Sequence, residues 1–256
     1  MPAHVYLINF KNAFQQSSFF ALYMYCIITI ARYKKSTAVF GFISMAVFRW
    51  FLFKNEKIHF FKLMGSGKNG TFDIRPDVQQ WAVLVTTNHT FTNIQALFGK
   101  FITNWWKRFN CELFTIVLQP TEGHGLWDGK SPFGNLPKQT IEDGLTAVLT
   151  RATIRSTKLK AFWQNVQTAA APLQKAGGFI MSVGMGEVPW IKQATFSVWQ
   201  NKQLMKQYAY GMKQHAAVIG KTRKGNWYSE ELFVRFKVLG VSGTINGINP
   251  LQHYLV

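Results

Sequence analysis

The chain has 256 residues, 48% of them hydrophobic and 16% charged. That composition excludes an intrinsically disordered protein and leaves room for one large core, or for two small domains packed as one unit. Lys and Arg number 29 against 11 Asp and Glu, a formal net charge of +18, which draws the protein towards something anionic or serves only as a solvated surface. The basic residues form no long run, and no Lys/Arg-Gly-Phe-Gly-Phe signature occurs, so no nucleic-acid partner is expected. The 23 Phe, 9 Trp and 8 Tyr suit either a bulky core or a large apolar pocket. Cys26 and Cys111 make no CxxC pair and read as buried free thiols of a reducing compartment.

Residues 1–18 match no known pattern and read as a leader. Two apolar runs follow, 19–31 and 38–53, each shorter than the roughly 20 residues of a spanning helix. No small-residue cleavage site follows the first, and Arg32, Lys34 and Lys35 separate the two. The first reads as a buried strand over 23–31 and the second as a buried helix over 37–53; a membrane hairpin is the alternative. Next come a strand at 58–64 closed by a tight turn at Gly65-Ser66-Gly67, a strand at 78–86, a helix over 92–109 and a strand at 112–118. The second half repeats the order: strand 145–154, helix 158–173, strands 179–184 and 194–199, helix 202–219, strand 232–239. Both halves are βαββαβ, the ferredoxin-like unit.

One stretch of letters supports a duplication. Glu112-Leu113-Phe114 and Glu231-Leu232-Phe233 are 119 residues apart and each leads into a Gly-containing segment. The expected fold class is α+β: tandem ferredoxin-like halves at 19–119 and 144–247 forming a dimeric-α/β-barrel-like unit in one chain. A connecting loop at 120–143, without regular structure, and a C-terminal tail at 248–256 complete the chain; such long loops are often lids or binding loops.

Few chemical motifs survive scrutiny. Gly65-Ser66-Gly67-Lys68 fails as a phosphate loop, because Lys62 stands where Gly is needed and Asn69 follows the lysine. No GxSxG, HExxH or paired Cys/His zinc pattern occurs. On the helix expected at 202–219, Leu204, Tyr208, Met212, His215 and Ile219 trace one stripe, which turns His215 inward. An inward imidazole among aromatics is either a haem ligand or a core histidine bonded to a backbone carbonyl. At an offset of 119 its counterpart is Ala96, so the histidine belongs to one half only. Arg151 and Arg155, four apart in a strand, share a face; they are either donors to an oxygen species or a propionate, or surface charge.

Several words occur together in order: Phe61-Lys62-Leu63-Met64-Gly65-Ser66-Gly67, Trp127-Asp128-Gly129, Pro132-Phe133 and Leu149-Thr150-Arg151-Ala152-Thr153-Ile154-Arg155. Phe162-Trp163, Gly184-Met185-Gly186-Glu187-Val188-Pro189, Gln193-Ala194-Thr195-Phe196-Ser197-Val198-Trp199, His215-Ala216, Trp227, Glu230-Glu231-Leu232 and Arg235-Phe236 follow. From about residue 20 to 247 the chain resembles the spheroidene monooxygenase family, the acyclic-carotenoid 2-ketolases. The resemblance implies a haem-dependent monooxygenase that acts on a linear carotenoid or similar apolar polyene, with dioxygen and electrons from a ferredoxin-like donor. It implies haem b as cofactor and His215, which falls on a histidine of the family pattern, as axial ligand. Arg151 or Arg155 would then stabilise negative charge developing on the oxygens. The positive surface would meet an anionic membrane or an acidic ferredoxin, in a cytoplasmic protein peripheral to the inner membrane. The alternatives are a haem-binding protein without ketolase activity, and a non-enzymatic ferredoxin-like binding module. The N-terminal strand and helix are only loosely similar to the family and the basic charge is extreme, which leaves the substrate open.

Overall fold

The computed structural model describes residues 24–68, 75–141, 144–170, 173–211, 220–222 and 224–255, without the side chains of 166–170. The leader at 1–18 and the segment 212–219, which carries His215, lie outside the described residues.

Eight strands alternate with helices: β1 (Tyr25–Arg32), α1 (Ala38–Phe53), β2 (Phe60–Gly67), β3 (Pro76–Thr87), α2 (Ile94–Arg108), β4 (Glu112–Gly125), β5 (Thr146–Ile154), α3 (Leu159–Ala170), β6 (Phe179–Val188), β7 (Lys192–Trp199), α4 (Lys202–Lys206) and β8 (Tyr228–Gly243). The strands close into an antiparallel barrel in the order β1-β3-β2-β6-β7-β5-β8-β4. The first four strands therefore lie in the order β4-β1-β3-β2, and the last four in the matching order β8-β5-β7-β6. Closure leaves no sheet edge open to pair with another chain.

Alternate residues of each strand face the interior. Ile28, Leu84, Phe114, Leu149, Phe196 and Phe236 belong to one buried cluster that fills the barrel. The interior is thus a packed core, not a channel. The other faces of β1, β3 and β4 pack against α1 and α2 in a second contiguous cluster that includes Ile27, Val83, Val85, Phe48, Ile102 and Trp106. Two buried faces explain why β1 reads as a near-continuous apolar run. Leu251, in the expected tail, is fully buried against the barrel interior.

The two joints between the strand sets are unequal. β4 and β8 pair from Phe114↔Gly243 to Gly125↔Leu232, whereas β2 meets β6 only at Gly65↔Gly186 and Ser66↔Met185. Each end of the long joint carries a reciprocal contact. Glu230 accepts the backbone N–H of Asp128 and Gly129, both at 2.8 Å, and Glu112 accepts those of Asn246 and Gly247 at 3.2 and 2.5 Å. The residues at these turns have positive φ in both sets, Asp128 and Gly129 in one, Asn246 and Gly247 in the other. Gly125 is required as glycine, because at φ +95 an added Cβ would lie 2.1 Å from the Glu231 carbonyl oxygen.

Several expectations need correction. The two acidic residues that correspond are Glu112 and Glu230, an offset of 118, so the letter match at 119 was one residue out of phase. Only at 118 do interior residues align, Phe114 with Leu232 and Ile116 with Val234. The helices carry yet another offset. Asn93 and Asn201 cap α2 and α4 alike, each side chain accepting the N–H three residues on, and they are 108 apart. At that offset Ala96 stands where the second set has Leu204. Gly65-Ser66-Gly67 forms no turn but lies in β2, where the pairing with β3 shifts register. The first quarter of the expected loop is strand, since β4 runs on to Gly125. After α4 the residues Gln207–Gly211 form a π-helical turn, and Met212, His215 and Ile219 of the expected stripe lie outside the described residues. Helix α1 is not a buried helix; only one face, with Gly41, Ser44, Phe48 and Leu52, is covered.

Candidate active site

The outer faces of the two strand sets differ where their pairing is equivalent. Across the first set one row reads Leu63, Val83, Thr29, Thr115. The matching row of the second set reads Gly184, Thr195, Thr150, Phe233. Thr29 is fully buried beneath α1 and α2, with its hydroxyl 3.0 Å from that of Thr115. Thr150 holds the same place on a central strand and is exposed. The leucine and the valine of the first row are replaced by glycine and threonine, so side-chain volume has been taken off the floor. Thr195 adds a buried hydroxyl that has no hydrogen-bond partner among the described residues.

Two small clusters flank this floor in place of the single large one of the first set. At one end α4 brings Met205 and Tyr208 onto Val148 and Trp199, with the Trp199 and Tyr208 rings 5.1 Å apart. Burial pushes the Tyr208 phenol up to about 12, so it keeps its proton at neutral pH. At the other end α3 packs Phe162 against Ile154 and Trp227. Between these two apolar clusters, Thr150 is exposed while Gly184 is buried and Thr195 and Phe233 are half-buried. This donor set and shape fit a flat, largely apolar cofactor with polar groups at its rim. His59, His89, His124 and His253 are exposed and stand outside it.

Arg151 and Arg155 do not meet at this floor. Arg151 points into the barrel, on the opposite face of β5 from Thr150, and is buried at one mouth. Its guanidinium pairs with Glu230 and with Asp128 at 3.1 Å and lies over the Trp127 ring. Arg155 follows the end of β5, where the strand phase no longer holds; it precedes a 3-10 turn and is exposed. Around Arg151, Lys62 reaches Asp128 and also Glu187 at 2.6 Å, and the Trp127 indole donates to Glu187 at 2.6 Å. Residues from five separated stretches of sequence meet here. The cluster also clasps the sparse β2–β6 joint, because Lys62 and Glu187 stand on its two sides.

Burial alone would raise the Asp128 carboxyl, but hydrogen bonds and charge from Lys192 and Lys62 hold it down at about 2. Its pairing is therefore worth most above the unfolded value of about 4 and is lost as the pH falls through about 2. Stability followed by urea unfolding is expected to decline over that window. In Asp128→Asn the decline should be shallower and the stability at neutral pH lower; an unchanged slope would count against the clasp.

A second cluster escaped the sequence reading. Glu122, with 1% side-chain exposure, pairs with Arg235 and with Lys202 at 2.5 Å, and accepts the Thr140 N–H at 2.7 Å. It lines a small cavity with Thr121, Thr146 and Arg235, beside the start of α4. The signal was available in the order of the elements, since an acid within an otherwise apolar strand needs a buried partner. The floor, too, would have emerged from comparing the two sets strand by strand, but only with a separate offset for each element.

Together the closed antiparallel barrel and the outer helices define an eight-stranded α+β barrel protein. The same fold is seen in aldoxime dehydratase, with a TM-score of 0.64 over 94% of this chain and 90% of that one at 9% identity, and in its butyraldoxime complex, with a TM-score of 0.63 over 93% and 88% at 9% identity. No protein-family model matches the chain. The spheroidene monooxygenase of Rhodobacter capsulatus is 31% identical over 76% of this chain and 81% of its own length, and that of Rubrivivax gelatinosus is 32% identical over 73% and 72%. That of Cereibacter sphaeroides is 33% identical over 78% of this chain, which spans only 61% of the relative's length. The chain belongs to the spheroidene monooxygenase family.

Proposed function

We propose that the protein is a haem-dependent monooxygenase acting on a linear carotenoid or a similar apolar polyene. The observation that carries this reading is the contrast between Thr29, buried, and Thr150, exposed, at equivalent places in the two strand sets. One set has a filled outer face; the other keeps a floor clear in a chain whose relatives are named monooxygenases. The barrel is read as two tandem ferredoxin-like halves, of which the first gives structure and the second the site.

On this reading haem b rests on the floor of Gly184, Thr195 and Thr150, and His215 is the residue assigned to hold it. Haem supplies the reductive activation of dioxygen. The protein supplies the rest. The Thr195 hydroxyl offers a hydrogen bond to a polar rim atom, and Trp199, Met205 and Tyr208 form an apolar wall that keeps water from the polyene end. Arg151 acts by fixing β5 from behind. Arg155, exposed at the end of that strand, remains available to an anionic group. Electrons come from an external ferredoxin-like donor, whose acidic surface the +18 charge would favour.

The test is the absorbance spectrum of protein expressed with added haem, beside His215→Ala, followed by turnover of an acyclic carotenoid with a reducing system. A Soret band lost or shifted in the variant, with oxygenated product from the parent only, is the expected result. Absence of the band from both proteins would sink the haem assignment. A band without any product would reduce the protein to a haem carrier.

A further inference from the structure

Helix α1 presents its uncovered stripe to solvent as an aromatic surface. Val39, Phe42, Ile43, Trp50 and Phe53 recur at helical spacing on the side away from the barrel; Phe42 is 69%, Trp50 60% and Phe53 78% exposed. Helix α2 extends the surface. Phe101 is exposed and stacks on Phe51 at 3.8 Å with the rings 10° apart. Soluble proteins scatter single apolar residues over their surface, but a contiguous aromatic patch marks an interaction site.

Among the described residues the charge on and next to the two helices is mainly positive. Neither α1 nor α2 contains an acidic residue. Lys34 and Lys35 precede α1, Arg49 lies on its outer side, and Lys54 follows it with Nζ 4.1 Å from the Trp50 ring. Lys100 is exposed on α2 beside Phe101. Glu56, beyond the end of α1, is the acidic exception. An apolar stripe of aromatics with lysines at both ends matches the boundary between acyl chains and anionic headgroups: the rings enter and the ammonium groups remain with the phosphates. A protein partner would have to cover the same rings while supplying acidic groups to every flank; a second copy of this chain brings the same positive charge and is repelled.

The helix with its preceding turn, Lys35–Phe53, is long and apolar enough by composition to cross a membrane. Its packing speaks for a different placement. Gly41, Ser44, Phe48 and Leu52 are held against the barrel, and an added Cβ at Gly41 would lie 2.3 Å from the Trp81 indole nitrogen. Sixteen residues of α1 also span only about 24 Å, less than a hydrocarbon core.

We propose that the outer stripe of α1, with Phe101 of α2, is a docking surface that lies in the plane of an anionic lipid membrane. The surface belongs to the first strand set and is distinct from the floor of the second, so it needs neither haem nor substrate. The test is sedimentation of the full-length protein with vesicles of phosphatidylcholine, with and without phosphatidylglycerol, beside a Phe42→Ser/Trp50→Ser/Phe53→Ser variant and a Lys34→Gln/Lys35→Gln/Lys54→Gln variant. The parent should bind the anionic vesicles, and less so at high salt. The aromatic variant should partition about a hundredfold more weakly, the loss expected when three large apolar side chains no longer leave water. The lysine variant should lose its preference for phosphatidylglycerol. Unchanged circular dichroism and melting temperature establish that both variants fold. Equal partitioning of parent and aromatic variant would overturn the proposal, as would a parent that ignores vesicles and is instead a dimer split by the aromatic substitutions. Failure of carotenoid oxygenation would leave every one of these readings intact.

Discussion

Arg235→Ala is expected to lower the folding stability by about 3 kcal/mol, the cost of leaving a buried carboxylate without its main partner. Glu122 has 1% side-chain exposure and cannot turn to water. Lys202 remains at 2.5 Å, which holds the loss at the lower end of the range for a broken buried pair. Removing both charges with a near-isosteric pair, Glu122→Leu with Arg235→Met, should recover at least half of it, since apolar packing often replaces a buried ion pair without loss. Urea unfolding of the single and double variants checks both expectations. A single variant within about 1 kcal/mol of the parent would mean that water reaches Glu122.

The second large effect falls on function and spares the fold. Thr150→Trp puts an indole on the open floor between the two apolar walls. Thr150 is exposed, so the barrel should tolerate the change and keep its melting temperature within a few degrees of the parent. On the proposed haem assignment, haem retention should fall about tenfold or more, because a ring would then occupy the proposed space and a packed site cannot accept both. Thr29→Val on the filled side is the natural control. It breaks the 3.0 Å hydroxyl contact with Thr115 and should cost about 1 kcal/mol of stability without touching haem uptake. Haem absorbance and carotenoid turnover, measured beside thermal unfolding, separate the two effects. Full haem retention by Thr150→Trp would move the site away from this floor.

Much of the fold was legible because local patterns were strong. The apolar, Ile- and Thr-rich run of β1 and the two Glu-Leu-Phe words each point to a strand that the structure contains. What failed did so for physical reasons. Strands at matching places in the two sets are separated by segments of different length, so no single offset aligns them, and a slip of one residue turns every side chain to the opposite face. The acidic pair Glu230-Glu231 invited that slip. The apolar character of α1 was read as burial, although composition alone cannot tell a core helix from one that keeps a face outward. The π-helical turn at Gln207–Gly211 has no clear signature in its letters. Arg151 was legible as an unusual arginine in a strand, but its face and its partners emerge only once β5, β8 and the Trp127 turn are brought together.

The reciprocal grip of Glu112 and Glu230 bears on how the chain comes apart. Each acid stands on one strand set and closes a turn at the far end of the other set's last strand. Neither set can fray from that end without releasing a bond held by its neighbour. Thermal unfolding should therefore follow one cooperative transition, with calorimetric and van't Hoff enthalpies in agreement. A fragment bearing either set alone would keep its strands but lack the acid that fastens its turn. Joining the two sets in one chain holds that acid permanently at hand.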